Sequence, residues 1–306
     1  MIAERLVTAL RAELREGGLT GSFLVRDLDT GEEVGIDPDL ELPTASLVKV
    51  PLALATVERI RRGELDGAEP ITIAPGAAPG GTPGPTGTGR FRRPARIAVD
   101  DLVHLAVTIS DNGAADALFA LTPPGRVTGL LREHGLRGIT VRHTIGELSD
   151  TPAERLPDAE LHLAHALAID AGTRGRGHLV PQLDVSRANS GTARAFVDLL
   201  EALWRVPADG SGIHPQTAAR VREVMGDNLL RHRLAPDLVS DSARWSSKTG
   251  TLLNLRHEVG VVEHADGGRF AVAALTESRV PAAVQPEAEA LMGRVARTLR
   301  DHLRGR

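Results

Sequence analysis

The sequence predicts a mixed α/β fold: an antiparallel sheet flanked by N- and C-terminal helices, with an all-helical domain inserted between the two halves of the sheet. Three observations predict it. A helix and a hairpin open the chain, three strands and a helix close it, and the long middle carries helical periodicity. The expected division is residues 1–45 and 209–306 for the sandwich and 46–208 for the insert, with the chain ends close together.

The elements follow from spacing. Leu6, Ala9, Leu10 and Leu14 recur at helical intervals, and GSFLVRDLDTGEEVGI then alternates as a strand, turns at Asp29-Thr30-Gly31 and continues. VKVPLALATVERIRRGELD, VDDLVHLAVTIS, GAADALFAL, VTGLLREHG and ARAFVDLLEALW each place apolar residues at i, i+3 and i+4, which predicts helices. Between the first two, residues 74–90 are too rich in Gly and Pro for regular structure, which predicts an exposed, mobile loop. RWSSKTGTLL, RHEVGVVEH and RFAVAALTES read as strands, the last two joined at Asp266-Gly267, and Ala288, Leu291, Met292, Val295 and Leu299 share one face of a final helix.

Composition narrows the chemistry. With 42% hydrophobic and 25% charged residues among 306, the chain is an ordinary globular one, which excludes disorder and coiled coil. A net charge of −4 gives no electrostatic reason to expect nucleic acid or an anionic membrane as partner. Glu4, Arg5, Arg11 and Glu13 interrupt the N-terminal segment where a signal peptide needs an apolar stretch. A cytoplasmic protein is expected from the sequence as written, and a secreted one if a leader has been removed. Zero Cys removes thiol nucleophiles, disulfides and thiolate metal sites, and zero Tyr removes a phenolate base. GPTGTG follows no strand and lacks the lysine of a phosphate-binding loop, so no nucleotide site is expected.

Of 36 basic residues only Lys49 and Lys248 are lysines. Lysine can lose its proton when desolvated and arginine cannot, so both positions are candidates for proton chemistry as well as for ordinary surface charge. Ser46 and Lys49 stand three apart where the extended N-terminal segment meets the first middle helix, a spacing that lets hydroxyl and amine share a face. A serine hydroxyl needs such a base to become a nucleophile. Read alone, S-x-x-K equally fits a Ser cap followed by a solvated lysine. Ser110-Asp111-Asn112 joins two helices and equally fits capping, and Lys248-Thr249-Gly250-Thr251 lies on a strand that charge could blunt as an edge.

The order and spacing of S-x-x-K, S-D-N and K-T-G together resemble the class A β-lactamases and, more broadly, the serine β-lactamase and penicillin-binding protein superfamily. LDTGEEVGI, RRGELDG, SDNGAADALFAL and RHEVGVVEHADGGRFAVAAL extend the resemblance over most of residues 1–145 and 190–306. It implies a serine hydrolase that forms an acyl-enzyme at Ser46, with Lys49 as proton partner and a β-lactam or related amide or ester as substrate. It further implies that Ser110 passes a proton to the leaving nitrogen and Asn112 binds a substrate side-chain amide. Lys248 would supply electrostatics, Thr249 and Thr251 would meet a substrate carboxylate, and Arg256 would back that binding or remain a solvated strand-end cation. The N–H groups of Ser46 and Thr251 would form an oxyanion hole. No cofactor and no metal are implied.

The departures bear on turnover. The family's E-x-x-L-N glutamate, which activates hydrolytic water, is matched only by Glu147 in TIGELSD, with Glu154 and Glu160 as alternatives. Residues 150–188 are longer than the family's loop and include PDAELHLAHALAID, where His162 and His165 beside Glu160 could pair on a metal but are expected at the surface. Three functions therefore stand: β-lactam hydrolysis, turnover of a non-lactam ester, amide or acyl donor in the cytosol, and a β-lactam-binding module that acylates without turnover.

Overall fold

A computed structural model describes residues 2–75, 86–171, 177–205, 207 and 211–305. Residues 76–85 of the Gly/Pro run, 172–176 of the Gly/Arg run and the side chain of Glu154 lie outside the described residues.

The chain opens with α1 (Ile2–Glu16), β1 (Leu19–Asp27), β2 (Glu33–Ile36) and β3 (Leu42–Pro43). The middle contains α2 (Lys49–Arg61), β4 (Pro70–Ile73), β5 (Ala95–Ala98), α3 (Val99–Thr108), α4 (Asn112–Leu121) and α5 (Pro124–Glu133). It continues through β6 (Ile139–Thr140), α6 (Ile145–Ser149), α7 (Leu161–Ala171), β7 (Ser190–Gly191), α8 (Ala193–Trp204), α9 (Pro215–Gly226) and α10 (Ala235–Leu238). β8 (Ala243–Leu252), β9 (Leu255–His264), β10 (Arg269–Ser278) and α11 (Pro286–Arg304) close it.

The main sheet has five antiparallel strands in the order β2-β1-β10-β9-β8. The N-terminal strand joins the C-terminal hairpins directly, Leu19 pairing with Ser278 and Asp27 with Phe270, so both chain ends belong to one sheet. Its turns use the chemistry expected of them. Asp27 Oδ1 accepts from Asp29 and Thr30 N–H groups, and Gly31 and Gly267 take φ of +80° and +97°, a region that glycine enters without steric cost.

Strand alternation sorts the sheet into two cores. Phe23, Val25, Trp245, Val262 and Val272 pack with Leu10, Leu14, Met292, Val295 and Leu299 of α1 and α11. Leu24, Val259, Val261, Ala271, Ala273 and Leu275, on the opposite face, join a larger core built with α2, α3, α4, α5, α8 and α9. The site lies along this second face, where β8 meets the start of α2. A third, smaller cluster sets Ala164 and Ala168 of α7 with Val180 and Leu183 against Leu253 and Leu255, just beyond the K-T-G strand.

Two small sheets lie outside the expected pattern: β4 pairs with β5, and β3-β7-β6 form a second group whose strands are two residues long. Among the described residues no helix is long and apolar enough to cross a membrane.

Candidate active site

Ser46 sits in a 3-10 turn, Ala45–Val48, that runs straight into α2. The preceding residue, Ala45, takes φ of +47°, which a β-carbon disfavours, and the sharp turn leaves Ser46 half-buried at the surface of the second core. β8 lies directly against this turn. A β-carbon on Gly250 would come within 3.0 Å of Thr44 O and 3.1 Å of Leu47 Cγ, so the glycine of K-T-G lets the nucleophile's own turn approach closely.

The S-D-N segment forms the second wall. Ser110 takes φ of +57°, and Asp111 caps α4 by accepting from Ala114 N at 3.1 Å. The same carboxylate accepts from Thr88 N and Thr88 Oγ1, both at 2.6 Å, which ties residues 87–90 to the junction. Asp111 is thus structural, and its neighbours on either side face the lysines.

Lys49 Nζ donates to Ser110 O at 2.7 Å, to Ser110 Oγ at 3.2 Å and to Asn112 Oδ1 at 2.7 Å. Lys248 Nζ donates to the same Ser110 Oγ at 3.0 Å and to Thr249 O at 2.7 Å. Both lysines are fully buried. Burial lowers Lys49 to about 7, against the opposing pull of Asp111 and Asp116. Burial, and then repulsion from Lys49 and Arg233, puts Lys248 well below its ordinary value. Among the described residues Ser46 Oγ has no hydrogen-bond partner, so the expected Ser46–Lys49 contact is open while Lys49 holds Ser110 and Asn112.

The structure thus brings Lys49, Ser110, Asn112 and Lys248 into one network beside Ser46. Thr249 is buried on the other face of β8, paired across the ladder with Glu258. Thr251 is exposed, and its Oγ1 accepts from Arg233 Nη2 at 2.6 Å. Arg233 also donates to Gly250 O at 2.9 Å and His257 O at 2.8 Å, and pairs with Glu289 at 3.1 Å. Sequence reasoning missed it, because Arg233 lies in an aperiodic segment among many arginines.

Three further side chains have the following surroundings. Arg256 gives its donors to the carbonyls of Leu253, Leu255, Ala282 and Ala283, at 2.6 to 3.2 Å, so Arg233 and not Arg256 is the guanidinium that reaches Thr251. Glu147 is exposed, and its Oε2 accepts from Thr144 N at 2.8 Å and Thr144 Oγ1 at 3.0 Å. This is a capping box at the start of α6, and it leaves Glu147 outside the lysine network. His165 is buried beside the α7 cluster, whereas His162 and Glu160 are exposed, so the two histidines do not converge.

Besides Asp111, whose oxygens are committed to Thr88 and Ala114, the carboxylate that acts on Lys49 is Asp116, one helical turn beyond Asn112. Its Oδ1 accepts from Ile145 N at 2.7 Å, and burial raises it to about 6. Its sequence signal was available: an isolated acid four residues after Asn112 in an otherwise apolar helix.

The comparisons agree with this architecture. A family model described as the beta-lactamase enzyme family matches residues 5–303. A Streptomyces cacaoi protein named beta-lactamase regulatory protein BlaB is 68% identical over 309 residues, covering 99% of this chain and 98% of that one. A solved beta-lactamase from Chitinophaga pinensis has a TM-score of 0.76 at 17% identity, covering 99% of this chain and 100% of its own. A solved structure of PBP-A has a TM-score of 0.74 at 19% identity, covering 99% of this chain and 97% of its own. With the S-x-x-K, S-D-N and K-T-G segments gathered around one buried lysine pair, and a family match across nearly its whole length, this chain belongs to the beta-lactamase enzyme family.

Proposed function

We infer that this chain is acylated at Ser46 by β-lactams and releases the acyl group slowly, acting as a β-lactam-responsive regulatory protein. The hydrogen-bonded network of Lys49, Ser110, Asn112 and Lys248 supports the acylation half. Ser46 Oγ attacks the lactam carbonyl carbon and gives its proton to neutral Lys49. As the C–N bond breaks, the ring nitrogen takes a proton from Ser110, which Lys49 replenishes across their 3.2 Å contact. Lys248 holds Ser110 Oγ in place. The N–H groups of Ser46 and Thr251 stabilise the oxyanion, a contribution of about 3 kcal/mol for a well-placed donor.

The observation that carries the slow release is the capping box: Glu147 spends its carboxylate on Thr144 at an exposed helix start. General-base assistance supplies roughly 10²–10⁴-fold, and an ester left without it persists. The name of the Streptomyces cacaoi relative, a regulatory protein, favours the same reading. The family match favours a second, β-lactam hydrolysis with turnover.

Intact-protein mass during incubation with penicillin G, followed over minutes and hours, tests both. A stoichiometric adduct that persists after the free drug is removed supports the sensor. Consumption of many equivalents with little standing adduct supports the hydrolase. Neither adduct nor consumption overturns both readings and leaves a non-lactam ester or amide as the substrate class.

A further inference from the structure

We propose that Asp116 is a positioning residue whose charge sets the proton state of Lys49, so that the α4–α6 contact is coupled to the reactivity of Ser46. The proposal rests on the reading of Lys49 as the proton acceptor for Ser46.

Asn112 and Asp116 stand four apart on α4 and therefore share a face. The first accepts from Lys49 Nζ at 2.7 Å, and the second accepts from Ile145 N, at the first residue of α6. Asp116 Oδ2 is buried and, among the described residues, has no hydrogen-bond partner. A buried carboxylate oxygen without a well-formed donor is costly unless a charge or dipole compensates it; the charge that does so is Lys49 on α2, and the Gly146 backbone N–H of α6 adds a weaker pull. Among the described residues no hydrogen bond or ion pair joins the two side chains, so the effect is one of field, in a site where burial weakens screening.

The charged groups around the pair define its sign. Lys49 faces Asp111 from the S-D-N turn, Asp116 from α4 and Lys248 from β8. Asp116 faces Lys49 from α2 and Glu147 from α6. Asp111 is saturated by Thr88 and Ala114, which leaves Asp116 as the anion with an uncommitted oxygen. An ionised Asp116 favours the ammonium of Lys49. A neutral Asp116 releases Lys49 to the amine at lower pH. The two titrate as a coupled pair, at about 6 for Asp116 and about 7 for Lys49.

The chain's two lysines make this directly measurable. Protein labelled with 13C at lysine Cε gives two side-chain signals, and Lys248→Arg assigns them. In the unmodified chain the Lys49 signal should show a main transition near 7 and a smaller inflection near 6. Asp116→Asn keeps an oxygen for Ile145 N–H. It should lower the Lys49 midpoint by about one pH unit, erase the smaller inflection and move the acid limb of the acylation rate by the same amount. A midpoint displaced by less than about 0.2 unit overturns the proposal, because an uncharged tether would leave it in place. If Asp116→Asn does not fold, the unmodified chain decides alone: a single transition without the lower inflection overturns it. The titration needs no substrate, so a chain that never acylates refutes the proposed function and still tests this coupling.

Discussion

Lys49 and Lys248, the two lysines of the chain, donate to one hydroxyl: Ser110 Oγ lies 3.2 Å from the first and 3.0 Å from the second. Two buried ammonium groups on one oxygen repel each other, and the arrangement is eased when one of them is neutral. Burial lowers both, Lys49 to about 7 and Lys248 well below its ordinary value, so the pair shares its protons; position, with Lys49 three residues from Ser46 and Lys248 across on β8, is what separates their roles.

Ser46→Ala is expected to abolish every β-lactam adduct in intact-mass spectra while leaving the circular-dichroism spectrum unchanged. An adduct of undiminished yield, or one that peptide mapping assigns to Ser110, contradicts the assignment of the nucleophile.

Lys49→Arg should slow acylation by roughly 10²-fold or more, since guanidinium cannot accept the serine proton. Lys248→Arg should cost far less, because a guanidinium still donates to Ser110 Oγ from β8, where Lys248 makes a 3.0 Å hydrogen bond. In the unmodified chain the acylation rate should rise with pH through about 7, as Lys49 loses its proton. Stopped-flow acylation across pH checks both the slope and the contrast; equal tolerance at the two positions refutes it.

Stability should show the cost of Lys49. Its folded value, about 7, lies below the unfolded value of 10.5, so between these limits the unfolded chain binds the extra proton. This group's contribution to stability therefore rises with pH from about 7 toward 10.5, with a limiting slope of about 1.4 kcal/mol per pH unit, and is most unfavourable below 7. Lys49→Met should raise the urea midpoint at pH 6 and flatten that slope, at the expense of acylation. A midpoint lowered at pH 6 would show that burial of this ammonium is already fully compensated.

Glu147→Ala should destabilise the α6 region by about 1 kcal/mol, the usual effect of losing half a capping box. The lifetime of the adduct should change by less than about twofold, since the carboxylate is spent on Thr144. A much longer-lived adduct on this variant restores Glu147 as the base for water.

Arg233→Ala leaves Glu289 short of its buried partner and frees Thr251 and the Gly250 carbonyl, and should cost about 3 kcal/mol in urea unfolding. It should also reduce the preference for substrates bearing a free carboxylate over their methyl esters. Arg256→Ala, whose hydrogen bonds go to the backbone carbonyls of Leu253, Leu255, Ala282 and Ala283, should leave that preference intact.

Much of the fold was legible because its determinants are local. The Lys49, Val99, Asn112 and Ala193 helices begin within a residue or so of where apolar spacing predicts, and the three C-terminal strands match their alternating runs. β3, β6 and β7 were not legible, since two residues carry no period.

By itself the sequence determined the three motifs, the shortage of lysine and the order of elements, all properties of residue type and short-range spacing. Only the tertiary structure decided which side chains meet. That Arg233 and not Arg256 reaches Thr251, that Glu147 closes on its own helix start, and that Asp116 faces Lys49 depend on how segments distant in the chain pack. Residue type says what a side chain can do; its direction is fixed by the backbone and neighbours that the whole fold supplies.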